Sequence, residues 1–330
     1  MESAFVIGGT RFIGRHLVDD LLENGYDVTI FNRGKHDNPF KDADRVEHIE
    51  GDRTDDDALT DAAGQVQADV VFDCVAYKPR QVEVAVDVFS DVDAYVYISS
   101  GAAYGEEEIP KREGETPLHP CSDEEAVDDS LESYGPRKAE GDRVVFEGAK
   151  RGVNAMSVRP CVVYGPYDYT ERLDYWIDRV NTYDTIIVPG DGTNIWHRGY
   201  VEDVASALRM VAERGEPGEA YNVGDRSLLT LEEMVELVAD TLETEVETVN
   251  ASTRELSVVD LEYDDFMFYR NPPHVLDTSK LADLGWESTP LEEAMERTVE
   301  EHLESDRDGS EWDPGRETEE RLMEILDAVE

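Results

Sequence analysis

A tyrosine stands four residues before a lysine in YGPRK, residues 134–138. On a helix that spacing puts both side chains on one face. A neighbouring ammonium favours tyrosinate over phenol and lowers the tyrosine pKa. Tyr134 then becomes a usable proton carrier near neutral pH, with Lys138 as its tuner. Upstream, YISSGAAYG closes an apolar run, and Ser99 and Ser100 fall at its end. A serine hydroxyl there can hydrogen-bond the oxygen whose proton Tyr134 moves. The plainer alternatives are a solvated helix face for the first stretch and a strand-ending turn for the second. Each stretch alone is weak evidence.

A second constellation lies at the N-terminus, in VIGGTRFIG, residues 6–14. Gly8 and Gly14 keep the spacing of a G-x-x-G-x-x-G turn, with Arg11 at the middle position. The first glycine permits a tight turn, and the last lets a helix pack against the strand. Backbone N–H groups around Arg11, Phe12 and Ile13 then face an anionic phosphate, as expected of a dinucleotide site at a helix N-terminus. The end of the second strand normally carries an acid for the ribose 2′-OH, whereas an arginine accommodates a 2′-phosphate. Here the residues are Asn32 and Arg33. Together with Arg11 they tilt the expected cofactor toward NADP over NAD, because two guanidiniums can clamp a phosphate. The alternative is that both arginines are simply solvated. Asp52, in IEGDR, is placed to accept from the adenine amino group.

These residues need a frame. Apolar runs predict strands at 4–8, 27–32, 46–50, 69–74, 94–99 and 153–158. Helical patterns at 13–23, 55–63, 79–90 and 134–151 alternate with them. Such alternation predicts an α/β fold with a doubly wound parallel sheet and helices on both faces. After Pro160 the rhythm changes to tyrosine-rich loops, followed by a helix at 202–213, a strand at 219–223, and helices at 230–243, 278–284 and 290–304. The expected organisation is a nucleotide-binding domain over 1–165, with 195–225 returning to it. A smaller α/β substrate lobe would take 166–194 and 226–305, and a polar linker with a C-terminal helix 306–330.

Composition narrows the setting. The chain has 330 residues, a formal net charge of -48, and seven lysines among its 30 basic residues. Scarce lysine with carboxylates spread along the whole chain reads as a halophilic surface, since at about 1 M salt the Debye length falls to about 3 Å. The three cysteines, Cys74, Cys121 and Cys161, are far apart, and no HxxxH pair occurs, so no metal is expected. No apolar run reaches membrane-spanning length and no signal peptide is apparent, so the expectation is a cytoplasmic protein with no membrane partner. The acidity argues against nucleic acid, which needs a basic footprint.

Together the motifs resemble the extended short-chain dehydrogenase/reductase family, in its NAD-dependent epimerase/dehydratase group, over about residues 3–300. IGGTRFIG resembles its glycine motif, YISSGAAYG its active-site serine segment, and YGPRK its Tyr-x-x-x-Lys. VRPCVVYGP, RGYVEDVASAL, AYNVGDRSLLTLEEM and LDTSKLADLGW resemble later landmarks in the right order. The resemblance implies a Rossmann-type domain with a small substrate lobe, and usually a nucleotide-linked sugar as substrate. It implies that Lys138 also binds the nicotinamide ribose and that Ala76 and Tyr77 lie near the cofactor. Ser100, four residues before Tyr104, takes the place of the substrate-oxygen ligand, with Tyr104 on the substrate side. A homodimer through the helices at 79–90 and 134–151 is implied as well.

There are departures. The GGTRFIG form with FNRG after it is similar to an atypical branch that includes chloroplast stem-loop-binding proteins, some of which act on RNA. An arginine for the sugar diphosphate falls seven residues before the aspartate of the family's VxDVA segment. Counted back from Asp203, that place is Trp196, with Arg198 and Arg270 as substitutes. The first reading is therefore a Tyr-assisted oxidoreductase of the epimerase/dehydratase kind. The alternative is a non-catalytic or RNA-binding regulatory protein on the same fold.

Overall fold

Runs such as FVI, VVF and YVYI offer no polar face to water, so they form strands buried on both sides. In the computed structural model, which describes residues 1–328, the elements follow in this order. They are β1 Ser3–Ile7, α1 Phe12–Glu23, β2 Asp27–Asn32, β3 Val46–Glu50, α2 Asp56–Gln65, β4 Val70–Asp73, α3 Pro79–Val88, β5 Ala94–Ile98, α4 Tyr134–Lys150, β6 Ala155–Pro160 and β7 Val162–Tyr164. Then come α5 Asp174–Thr182, β8 Thr185–Pro189, β9 Arg198–Tyr200, α6 Val201–Arg214, β10 Ala220–Val223, α7 Leu231–Thr241, β11 Glu247–Ala251, α8 Thr253–Leu256, α9 Ser279–Ala282, α10 Leu291–Leu303 and α11 Arg316–Asp327.

Seven strands form one parallel sheet in the order β10-β6-β5-β4-β1-β2-β3. This is the Rossmann-type arrangement. The sheet grows outward in both directions from the β1–β4 pair, the switch point at which open α/β sheets bind ligands beyond the strand carboxyl ends. The glycine turn follows β1, Cys74–Tyr77 follow β4, and Ser99–Ser100 follow β5, so the motif residues share that end of the sheet. The outer strand β3 exposes Glu47, His48 and Glu50, charged or polar side chains that discourage further strand pairing.

The chain divides into two compact units. The first comprises Met1–Val163, Val201–Gly224 and Leu276–Ser288; the second comprises Tyr164–Tyr200, Asp225–Val275 and the described residues from Thr289 onward. The segment 276–288 thus packs with the sheet, whereas the sequence reading put it in the substrate lobe. Leu281 is buried, Trp286 Nε1 donates to the Asp203 carbonyl at 3.2 Å, and Lys280 pairs with Glu219 at 2.6 Å. Conversely, residues 195–200 belong to the second unit. His197 N–H donates to the His274 carbonyl at 2.8 Å, and Arg198 Nη2 to the Leu229 carbonyl at 2.8 Å.

Within the second unit, β8 pairs in parallel with β11, and α5, α7 and α10 pack on one another. The sequence reading left α5, β8 and β11 unassigned. β11, ETVNA, is only half-buried and shows little hydrophobic contrast, so its pairing with a strand some sixty residues earlier leaves no local trace.

Candidate active site

Gly8 adopts φ 96°, open to glycine but not to most residues. A Cβ on Gly14 would lie 2.0 Å from the Gly8 carbonyl oxygen, so the helix start can close on the strand end only with glycine there. Arg11 at the middle position is accommodated because its backbone is extended, with φ -134° and ψ 147°. The positive φ falls instead on Phe12, at 38°, a buried residue at the first position of α1. Ile13 is half-buried beside it. This cradle fits a dinucleotide pyrophosphate: a close backbone approach that any Cβ would block, at a helix N-terminus whose cap residue supplies no side-chain bond.

At the end of β2, the Asn32 amide ties the strand to the turn. Its Nδ2 donates to Thr10 Oγ1 at 3.3 Å, and its Oδ1 accepts from Gly34 N–H at 2.8 Å. Arg11 Nη1 lies 3.3 Å from His36 Nε2, and Arg33 is exposed. The sequence reading did not single out His36. Asp52 is exposed and accepts from the N–H and hydroxyl of Thr54, which hold its carboxyl below its usual range.

α4 begins at Tyr134 with Pro136 in its first turn, where the missing N–H costs nothing. Tyr134 and Lys138 lie on its buried side. Lys138 Nζ donates to the Ala76 carbonyl at 2.9 Å and the Ile98 carbonyl at 2.8 Å, thereby joining α4 to the ends of β4 and β5. It stands 5.8 Å from the Tyr134 ring centre, 4.9 Å from Tyr97 and 5.2 Å from Tyr77. Burial pulls the Lys138 pKa down to about 8, against the opposing pull of Asp73 and Asp142. Gly135 brings the helix against the serine turn, since a Cβ there would meet the Ala102 carbonyl at 2.5 Å. Ser100 is half-buried, and its Oγ accepts from Ala102 N–H at 3.1 Å. Ser99 is buried behind it.

Arg137, which the sequence reading passed over, braces this region. It donates to the Tyr77 carbonyl at 3.1 Å, the Ser130 carbonyl at 3.0 Å and Ser133 Oγ at 3.2 Å. Its signal was its place beside Lys138. Two buried ion pairs, Arg53 with Asp73 and Arg159 with Asp142, also had no local signature. Tyr104 is only 4% exposed, and its hydroxyl is engaged: it accepts from Arg159 Nη1 at 3.0 Å and donates to Asn222 Oδ1 at 2.8 Å. Its side chain therefore braces the serine turn instead of presenting a free hydroxyl.

Arg198, Arg270 and Trp196 lie in the second unit. Arg198 is buried, with its guanidinium 5.6 Å from the Phe268 ring centre. Arg270 is half-buried, 5.6 Å from the Trp196 ring centre. A cavity in this unit is lined by Tyr164, Trp196, Arg198 and Asp225 among others, and none of Ser100, Tyr134 and Lys138 borders it. Among the described residues no cluster of His, Cys, Asp or Glu could hold a metal ion, and no helix is long and apolar enough to cross a membrane.

Comparison with known proteins places this geometry. The chain is 29% identical over 250 residues to the Arabidopsis thaliana chloroplast stem-loop binding protein of 41 kDa b, covering 72% of this chain and 62% of that relative, less than two thirds of its length. It is 27% identical to the low-salt glycan biosynthesis protein Agl12 of Haloferax volcanii, covering 91% of this chain and 98% of the relative. Among solved structures, the NAD complex of dTDP-glucose 4,6-dehydratase from Bacillus anthracis has a TM-score of 0.72 at 21% identity, covering 94% of this chain and 98% of the other. UDP-glucose 4-epimerase from Thermotoga maritima, with UDP-glucose, has 0.72 at 22% identity, covering 92% and 99%. With the model of the NAD dependent epimerase/dehydratase family matching residues 4–224, across the glycine turn, the serine segment and the Tyr134–Lys138 helix, the chain belongs to that family.

Proposed function

We propose that this protein is a nucleotide-sugar oxidoreductase in which Tyr134 moves the proton while hydride passes between a nicotinamide and a sugar carbinol or ketone. The observation that carries this reading is Lys138. It is a buried ammonium fixed by two carbonyls one helical turn from Tyr134, and its pKa of about 8 keeps it charged at neutral pH. Tyr134 Oη would hold or accept the proton of the sugar oxygen, and Lys138 would favour its ionised form. Ser100 Oγ would orient that oxygen. A bound nicotinamide dinucleotide supplies the hydride donor or acceptor. The turn from Gly8 to Gly14 would hold its pyrophosphate, Ala76 and Tyr77 would border the nicotinamide end, and Asp52 the adenine. The names of the dehydratase and epimerase neighbours support a nucleotide-linked sugar.

We further propose that NADP(H) binds more tightly than NAD(H). No acid stands at Asn32, and Arg11 with His36 forms a basic pair beside the turn, near Arg33 in sequence. For the substrate's anionic group, Arg270 is the more accessible of the two arginines, because Arg198 is buried and donates to Leu229. A second copy of the chain, meeting through α3 and α4, is the proposed partner. The net charge of -48 supports a saline setting.

The relative named for stem-loop binding supports a second reading, an RNA-binding protein. One experiment separates the two. The purified protein in molar KCl is offered a panel of nucleoside-diphosphate sugars with each cofactor, and both nicotinamide absorbance and sugar products are followed. Turnover of at least one sugar is expected. No turnover, together with saturable binding of a stem-loop RNA, would replace the first reading by the second.

A further inference from the structure

We propose that Asp142 is a positioning residue for the Tyr134–Lys138 pair: its buried carboxylate, one turn beyond Lys138 on the same face of α4, keeps that lysine charged. The inference rests on the reading of Tyr134 as proton carrier.

Tyr134, Lys138 and Asp142 are spaced i, i+4 and i+8, so they run along one face of the helix. The carbonyls that accept from Lys138 are neutral; they orient the ammonium without balancing its charge. Burial favours its loss of a proton, and the carboxylates of Asp73 and Asp142 act against that loss. Both are completely buried. The groups facing Lys138 are Asp73 and Cys74 from the end of β4, Tyr97 from β5, Tyr77 from the loop after β4, and Tyr134, Arg137 and Asp142 from α4 itself. Arg137 opposes the ammonium.

Asp142 faces Arg159 of β6, whose Nε donates to Oδ2 at 2.8 Å, and Tyr97 of β5. Its other oxygen, Oδ1, is buried without a hydrogen-bond partner among the described residues. Leaving such an oxygen unpartnered carries a desolvation cost, and a structural pair would ordinarily satisfy both oxygens. Gly141 lets this face lie directly on β5, since a Cβ there would come within 2.6 Å of the Tyr97 hydroxyl. Arg159 is itself fixed by Tyr104 and, through it, Asn222, so the carboxylate has a defined position. A charge held at that place acts on Lys138, where with Asp73 it opposes loss of the proton.

The test reads Tyr134 ionisation without any substrate. Ultraviolet tyrosinate absorbance is titrated in the intact protein and in Tyr134→Phe, and the difference isolates Tyr134. Two effects of opposite sign then compete in Asp142→Asn. Removing the carboxylate directly eases tyrosinate formation, but from just over two turns away, about 12 Å along the axis. Losing the Lys138 charge, one turn away, makes tyrosinate harder to form. The proposal requires the Tyr134 midpoint to rise by about one pH unit, a tenfold change in proton affinity, and Asp142→Glu to return it toward the parent value. A midpoint that stays or falls in a folded Asp142→Asn protein overturns it. Should that variant not fold, Asp142→Ser removes the same carboxylate while leaving a hydroxyl to meet Arg159. The midpoint must again rise, and one that stays or falls overturns the proposal. Absence of turnover on every sugar would defeat the proposed function and leave this titration shift standing.

Discussion

In the first unit, the buried cation Lys138 donates to the carbonyls of Ala76 and Ile98, and its charge depends on carboxylates whose own partners are arginines. In the second unit, the buried cation Arg179 of α5 pairs with Glu319 of α11, 140 residues away, and with Asp313 at 3.3 Å. Asp174 there accepts from Arg307 at 3.0 Å and contacts His302 Nδ1 at 2.8 Å. Both units bury positive charge, with different consequences. An arginine stays ionised at any ordinary pH, so a matched carboxylate makes it a fixed joint. A lysine held mainly by neutral oxygens titrates close to the working range, so its charge remains adjustable and available to chemistry.

The contrast is broken most severely at Tyr134. Tyr134→Phe keeps the ring and loses the hydroxyl, so turnover should fall about 10²–10⁴-fold or more while cofactor affinity, read by fluorescence titration, stays nearly unchanged. A near-normal rate would reduce the first unit's lysine to a structural group. Next in size is the joint of the second unit. Arg179→Met strands the Glu319 carboxylate in a buried site and should cost about 3–5 kcal/mol in denaturant unfolding. A loss within the range of exposed pairs, below about 1 kcal/mol, would show that this charge is not the fastener its burial implies.

His197 gives a smaller effect with a defined sign. Burial depresses its pKa from 6.5 to about 4, although its ring lies 2.8 Å from the Asp225 carbonyl. Between those two values the unfolded chain binds the extra proton and the folded chain does not. This group's contribution is therefore complete above about pH 6.5 and is lost as pH falls toward 4, up to roughly 3 kcal/mol. Unfolding free energies of the parent and His197→Gln across that interval should converge toward acid pH; parallel curves would remove His197 from the account. The smallest change concerns the first unit's exposed basic pair. Arg11→Ala should narrow the NADP/NAD affinity ratio by about tenfold in titrations at fixed salt. An unchanged ratio would leave Arg11 as a solvated side chain and Asn32 without a phosphate to admit.

Much of the first unit could be read from the chain, because its signals are local. Gly8 and Gly14 are demanded by a turn seven residues long, Tyr134 and Lys138 by one helical turn, and the strands by runs of apolar residues. Tyr104 shows the limit: its spacing from Ser100 was legible, but the engagement of its hydroxyl depends on Arg159 and Asn222, which arrive from β6 and β10. Arg198 shows it again, since only burial against Phe268 and the bond to Leu229 reveal how little of it faces outward.

The sequence by itself determined the alternation of strands and helices, the glycine turn and the Tyr–Lys face, because sterics and hydrophobic period act between residues a few positions apart. Only the tertiary structure decided which cations are joints and which can titrate. It also decided that 276–288 packs with the sheet, that β8 takes β11 as partner, and that Asp142 lies under Lys138 with one oxygen unsatisfied. Those outcomes depend on desolvation and on charges brought together from distant parts of the chain. Neither quantity exists until the chain has folded.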